Sequence, residues 1–148
     1  MEKLSKTLIL LIVIFTITQS SMFSVSAAKI TTQDTTLMEN YLKKGNKYLH
    51  KQPDSAQSYY KKAMRIATSN GQAKTEAKIH QKLGTLQRSL SNYDSSKQHF
   101  TSALGIYEKQ KDSLGIAKAK NNLGTIDFFK GNFKEALQSY HQAIDLFK

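Results

Sequence analysis

The sequence predicts an all-α fold, a right-handed α-solenoid of three helix-turn-helix repeats, and two observations carry this prediction. Residues 121–147 place apolar side chains at three- and four-residue intervals on either side of a Gly-Asn turn, which is the pattern of two amphipathic helices. The same pattern recurs about forty residues upstream, and again about forty residues before that, as expected for a helical repeat array.

The second helix of each repeat shows the clearest periodicity. A small residue is followed four positions later by an aromatic residue, and then by another small residue. Small residues let two helices approach closely, and the aromatic side chain fills the space beside them. These positions are Ala56, Tyr60 and Ala63 in the first copy, Ser96, Phe100 and Ala103 in the second, and Ala136, Tyr140 and Ala143 in the third.

The first helix of each repeat carries a glycine at a matching position, namely Gly45, Gly84 and Gly124. A glycine inside a helix costs about 1 kcal/mol relative to alanine. A recurring one therefore predicts backbone contact with the partner helix. The alternative is a core position in an unrelated helical bundle, but three copies in the same register argue against it.

Turn and capping residues divide the repeat region into six helices. Thr36 and Glu39 have the spacing of a capping box and predict the start of the first helix. Pro53 suits the first turn of the second helix, and Gly71 and Gly131 suit the left-handed residue that ends a helix. The predicted helices cover about 36–51, 53–70, 73–90, 93–110, 112 or 113 to 130, and 132 onwards.

The first 28 residues differ from the rest of the chain. Lys3 and Lys6 precede an apolar run at residues 8–17, and small residues at 25–28 offer a cleavage site, which is the layout of a secretory signal peptide. We expect cleavage after Ala27 or Ala28 and export to the periplasm or the medium. The alternative is an uncleaved membrane anchor at residues 7–24, although the apolar run is shorter than the about 20 residues that span a bilayer.

The predicted domain organisation follows from these boundaries. Residues 1–28 form the signal peptide and residues 29–35 a disordered spacer. Residues 36–148 form the repeat domain, with repeats at about 37–71, 72–111 and 112–148. Nothing follows the sixth helix that would cover it, so we expect some of Ile126, Phe129, Ile144 and Phe147 to lie partly bare, unless that helix is polar enough by itself.

Composition limits the chemistry and the partners. The 148 residues contain no cysteine, which excludes disulfides, thiolate catalysis and cysteine-ligated zinc. The net charge of +11 favours acidic partners. Nucleic acid is not expected as a partner, because the chain lacks the interleaved aromatic and basic residues that stack bases. An exported protein would also not meet nucleic acid as its intended partner.

No catalytic constellation emerges from the sequence. The four histidines do not share a repeat position, and no phosphate-binding glycine loop or nucleophile motif is present. We therefore expect no enzyme activity, no cofactor and no metal site. The histidines are His50, His80, His99 and His141.

The repeat signature resembles that of tetratricopeptide repeats (TPRs). The resemblance rests on the Leu-Gly pairs at 83–84 and 123–124, the Gly-Asn-Phe turn at 131–133 and the Ala, Tyr, Ala series, and it covers about residues 37–148. The forty-residue spacing exceeds the usual 34 of the family. It is similar to a long-repeat variant found in exported bacterial TPR proteins and in the input regions of sensor histidine kinases. The chain departs from the family pattern at Ser91, which stands where Gly131 stands, and it lacks the closing proline.

The resemblance implies a concave groove, lined by the first helix of each repeat, that holds a peptide or another protein's tail. We therefore expect an exported, non-catalytic binding module whose partner is acidic, since the middle of this groove is basic. A solvated helix face is the alternative explanation for its lysines. Position matching implies the groove residues Asn46, Lys78, Gln81, Lys82, Thr85, Arg88, Lys118, Asn121, Asn122, Thr125 and Phe128, together with Glu39, Leu42 and Leu49 of the first copy.

Two other functions stay open. The first is a truncated input domain of a bacterial TPR histidine kinase or regulator. The second is a scaffold that self-associates through the uncovered last repeat. Contact with a membrane is expected only through an uncleaved N-terminal segment.

Overall fold

The structure, a computed structural model, describes residues 32–146, and these form six α-helices and no strand. The chain divides into two compact units, Met1–Thr36 and Leu37–Lys148. Of the first unit, the described residues 32–36 are helical. The helices are α1 at residues 32–48, α2 at Pro53–Ser69, α3 at Ala73–Ser89, α4 at Tyr93–Lys109, α5 at Ser113–Phe129 and α6 at Phe133–Asp145.

The helices follow one another as an array, in which α2 packs on α3, α3 on α4, α4 on α5 and α5 on α6. The prediction of an all-α helical repeat array is confirmed. Among residues 32–146, no helix is long and apolar enough to cross a membrane.

The start of α1 differs from the prediction. Residues 32–35 are helical, so the predicted spacer at 29–35 is wrong for these four positions. Thr36 lies inside the helix, where its hydroxyl donates to the carbonyl oxygen of Thr32 at 3.1 Å, so it does not act as an N-cap. Residues 29–31, the predicted signal peptide at 1–28 and the alternative anchor at 7–24 lie outside the described residues.

The four turns that follow α2, α3, α4 and α5 share one backbone geometry. Each of these turns contains a residue of positive φ. The amide of the next residue then donates back to the last turn of the preceding helix. After α2, for example, Gln72 N donates to the carbonyl oxygen of Ala67 at 2.8 Å. The glycines expected at two of these positions are confirmed, whereas serine and lysine take the same conformation at the other two. The four positions are Gly71 (φ 62°), Ser91 (59°), Lys111 (54°) and Gly131 (81°).

The helix-interior glycines lie against aromatic rings of the partner helix, as predicted. A side chain at any of the three would overlap the ring that faces it, because real Cβ atoms do not approach neighbours this closely. A Cβ would lie 2.5 Å from Tyr60 Cε1 at Gly45, 2.7 Å from Phe100 Cε1 at Gly84 and 2.9 Å from Tyr140 Cε1 at Gly124.

The small residues of the second helices are buried beside these rings. Ala56, Ala103 and Ala136 have no exposed surface. Ser96 is equally buried, and its hydroxyl donates to the carbonyl oxygen of Gly84 at 2.7 Å, so its polar atom is satisfied. The close packing of each helix pair therefore depends on a glycine, a ring and a small residue.

We expect Gly84→Ala to lower the free energy of unfolding by about 1–3 kcal/mol, because the new methyl group would press on the buried ring of Phe100. The matched control is Gly105→Ala in α4, where a Cβ meets nothing within 4 Å. That change should stabilise the chain by about 0.5–1 kcal/mol through the higher helix propensity of alanine. Urea unfolding of both variants, followed by circular dichroism, would measure this. Equal effects at the two positions would contradict the proposed contact.

Candidate functional site

A cavity of about 380 Å³ opens beside α3. It is bordered by α3 itself, by Tyr60 of α2, by Leu49 in the turn after α1 and by Asn122 of α5. Its α3 residues lie on a single helix face, because the adjacent pair at 81 and 82 stands three or four residues from both 78 and 85. They are Lys78, Gln81, Lys82 and Thr85. Counting Leu49 and Asn122, the structure therefore brings six of the predicted groove residues to one place.

Lys82 is the partly buried cation of this cavity. Its Nζ donates to Oδ1 of Asn46 at 2.9 Å, and the hydroxyl of Tyr60 donates to the same oxygen at 2.9 Å. Burial lowers the pKa of Lys82, since removal of water disfavours the ammonium. Because Asn46 is neutral, it orients the ammonium without neutralising its charge. Lys82 therefore remains able to attract an anion.

Gln81 presents a second polar group in the same cavity. Its side-chain Nε2 is buried and makes no hydrogen bond within the described part of the chain. A buried donor without an acceptor costs about 1–3 kcal/mol. A bound molecule that offers an oxygen acceptor here would recover that cost. Lys78, one turn away on α3 and exposed, adds a second positive charge.

Asn46 belongs to this site through its bond to Lys82, whereas several other predicted groove residues are placed elsewhere. Lys118 and Asn121 line a separate cavity of about 420 Å³ between α5 and α6. Thr125 accepts a hydrogen bond from the hydroxyl of Tyr140 at 3.3 Å. Phe128 packs edge-on against Phe129 and Phe133, and the half-buried Arg88 lines neither cavity.

One apolar face of α6 is open to solvent. Phe133 is 62% exposed, Leu137 58% and Ile144 54%, and Tyr140 lies between them at helical spacing. As expected for some of the end residues, Phe129 and Ile144 are partly bare, with 53% and 54% of their surface exposed. Ile126 was expected among them but is fully buried, and Phe147 lies outside the described residues.

The matching face of α4 shows how an internal repeat is covered. Tyr93 stacks on Phe129 of α5 with the ring centroids 5.6 Å apart. Lys97 donates to the carboxylate of Asp127 of α5 at 2.7 Å. Helix α5 therefore covers this face of α4, whereas no helix among residues 32–146 covers the same face of α6.

The described residues near the start of the repeat region contain an aromatic and basic cluster. Tyr59 stacks on Tyr41 at 6.2 Å and on Tyr48 at 5.8 Å, and Lys44 and Lys62 lie 5.6 Å from its centroid. The expectation that the chain lacks interleaved aromatic and basic residues is wrong for this cluster. The ring of Tyr59 is partly buried among these side chains.

Sequence reasoning missed the pairing of two histidines. His80 of α3 and His99 of α4 approach with their Nδ1 atoms 3.1 Å apart and their ring centroids 5.4 Å apart. The two histidines occupy different positions of the repeat, so comparing equivalent positions between repeats does not reveal the pair. A comparison of the position pairs at which two helices cross would have found it. Among the described residues, no group of three or more His, Cys, Asp or Glu side chains is placed to hold a metal ion.

Comparisons with known proteins agree with this architecture. A sequence model described as tetratricopeptide repeat matches residues 75–148. A TPR repeat-containing protein of Dictyostelium discoideum is 30% identical over 95 residues, which cover 63% of this chain and 6% of that protein's length.

Solved structures show the same fold. The TPR domain of Arabidopsis FLU superimposes with a TM-score of 0.69 at 23% identity, covering 76% of this chain and 95% of that domain. BtubC from P. vanneervenii gives 0.68 at 19% identity, covering 76% of this chain and 46% of the other. With the family match spanning residues 75–148 and a helical repeat array in the structure, the chain belongs to the tetratricopeptide repeat family.

Proposed function

We propose that this protein is a non-catalytic binding module that holds an acidic peptide in the cavity beside α3. TPR domains are typically protein–protein interaction modules, and this chain has the TPR fold. The observation that carries the proposal is the pair of neighbours Gln81 and Lys82. One offers a buried donor without an acceptor, and the other offers a partly desolvated cation.

A carboxylate fits this pair. One carboxylate oxygen would accept from the Lys82 ammonium, which Asn46 already orients, and the other would accept from Nε2 of Gln81. Lys78 would add charge at the rim, while Thr85 and Asn122 offer further polar contacts. Because most of these groups stand on packed helices, the peptide would bind with little ordering of the protein.

The charge of the whole chain supports an acidic partner. The net charge is +11, and such a field raises the rate of encounter with anions. We therefore expect binding to weaken as salt concentration rises, because exposed charges are screened within about 8–10 Å at physiological ionic strength.

We expect Lys78→Glu with Lys82→Glu to weaken binding of an acidic peptide by at least about tenfold, or 1.4 kcal/mol. The measurement is fluorescence anisotropy with labelled peptides rich in Asp and Glu, compared with their Asn and Gln analogues. A matched control is Lys109→Glu with Lys134→Glu, which makes the same charge change at exposed positions outside the cavity. Circular dichroism would verify the fold of both variants.

Two results would count against the acidic groove. One is an equal affinity for the acidic peptides and their amide analogues. The other is equal weakening by the cavity and control pairs, which would indicate that only the overall charge matters.

We also propose that the protein is exported, with residues 1–28 acting as a cleaved signal peptide. The support is the basic start, the short apolar run and the small residues at 25–28. Mass spectrometry of the protein from its source cells should show a chain that begins at Ala28 or Lys29. An intact N-terminus in the membrane fraction would indicate the anchor instead.

A second candidate function is self-association, and we propose that two copies pair through the open face of α6. At the position of Leu137, the earlier repeats carry Gln57 and Lys97, so the uncovered helix is more apolar there than the covered ones. An apolar face of this kind is stabilised when it is removed from water.

The geometry of this face favours a symmetric pair of like faces. Stacking α6 on the α1 of another copy would place apolar residues against Asn40, Lys44 and Lys47. These three residues are exposed in α1, whereas the residues at the equivalent positions of α3, Ile79, Leu83 and Leu86, are buried. In a two-fold pair, two antiparallel α6 helices would set Phe133 opposite Ile144 and Leu137 opposite Tyr140, because the four-three-four spacing reads the same in both directions.

We expect Leu137→Lys, which installs the residue of the second repeat, to abolish dimer formation. Sedimentation velocity over a concentration series would show a rising mass for the native chain and a constant monomer mass for the variant. Leu90→Lys is the matched control, because Leu90 is 41% exposed away from this face and the third repeat carries Lys130 at its position. A native chain that stays monomeric would show that this face does not serve a second copy.

A further inference from the structure

The facing histidines of α3 and α4 take no part in the proposed groove. We propose that His80 and His99 form a binding site for a divalent first-row transition cation such as Zn²⁺ or Cu²⁺, with the two Nδ1 atoms as ligands. Imidazole nitrogen is a preferred ligand of these cations, while Mg²⁺ and Ca²⁺ prefer oxygen.

The separation of the two nitrogens suits a shared ion. Their distance is 3.1 Å, and the ring planes are inclined by 43°. Two nitrogens that each lie about 2.0–2.1 Å from a tetrahedral zinc ion are about 3.3 Å apart. The pair therefore needs a small opening and a rotation of the rings to admit a cation, without movement of the helices.

The protonation state of the pair also suits a metal. A hydrogen bond between two Nδ1 atoms requires one of them to carry a lone pair. The second Nδ1 also presents a lone pair when its proton moves to Nε2 of the same ring, and the neutral imidazole is the form that binds metal.

The repeats themselves show that packing does not require histidine here. When the first helices are aligned on their glycines, Tyr41 and Tyr59 of the first repeat occupy the positions of His80 and His99. The two tyrosine rings stack. In the third repeat, Lys120 and Ser139 occupy these positions. The crossing accepts three different pairs, so the middle repeat does not need two metal-binding side chains to join its helices.

The protein would supply only two ligands. No third His, Cys, Asp or Glu joins the pair among the described residues, so water or a donor from another molecule would complete the coordination. A bound cation would link α3 to α4, because one ligand stands on each helix. Such a link stabilises the folded chain by an amount that grows with the free cation concentration relative to its dissociation constant.

The test is isothermal titration calorimetry of the full native chain with ZnCl₂, and with MgCl₂ as the comparison cation. We expect saturable binding of one Zn²⁺ per chain and none of Mg²⁺. His99→Ser, which installs the residue of the third repeat, should weaken Zn²⁺ binding by at least about tenfold through loss of one ligand. His80→Tyr with His99→Tyr, which installs the first-repeat pair, should remove it. His50→Gln with His141→Gln is the control and should leave it unchanged.

A readout on the native chain keeps the test valid if a variant fails to fold. In ¹⁵N spectra of the imidazoles, Zn²⁺ should shift the Nδ1 signals of His80 and His99. Absence of saturable Zn²⁺ binding by the native chain would overturn the proposal. Undiminished binding by the double tyrosine variant, or shifts confined to His50 and His141, would also overturn it. No peptide is present in these experiments, so their outcome is independent of the proposed groove.

Discussion

The contact between a glycine of the first helix and an aromatic ring of the second is the constraint on which the rest of the structure depends. It sets how closely the two helices of each repeat approach. In the first repeat it does more, because the ring that lies on Gly45 belongs to Tyr60, whose hydroxyl reaches Asn46. Asn46 in turn holds Lys82 of the next repeat. The candidate site therefore begins with a packing contact.

The cavity beside α3 keeps its positive charge because the ion pairs of the array form elsewhere. Three aspartates, Asp94, Asp112 and Asp127, each lie within 3 Å of a lysine from another part of the chain. In each pair at least one of the two side chains is substantially exposed, so the pair contributes little stability. They do, however, occupy three of the few carboxylates, while the ammonium of Lys82 meets a neutral amide. The basic character of the cavity thus follows from how the acidic residues are distributed.

The repeats conserve packing at a few positions and vary elsewhere, and each proposed function lies at a variable position. Where the two helices of a repeat cross, the pairs are tyrosines, histidines, and lysine with serine. Along the outer face of the second helix, Gln57 and Lys97 give way to Leu137. A repeat architecture permits this, because each unit needs only its own contacts and those with its neighbours.

The sequence alone determined the helices, their turns and the glycine–ring contacts, because these depend on periodicity and on residues close in the chain. It also placed Lys78, Gln81 and Lys82 on one face, since they share a helix. Only the tertiary structure decided which distant side chains meet. It joined Asn46 to Lys82 and His80 to His99, and it put Lys118 and Asn121 in a different cavity. It also exposed the apolar face of α6 and showed helical residues before Thr36. These features depend on how helices pack, and hydrophobic spacing along a chain does not specify which side chains face each other across two helices.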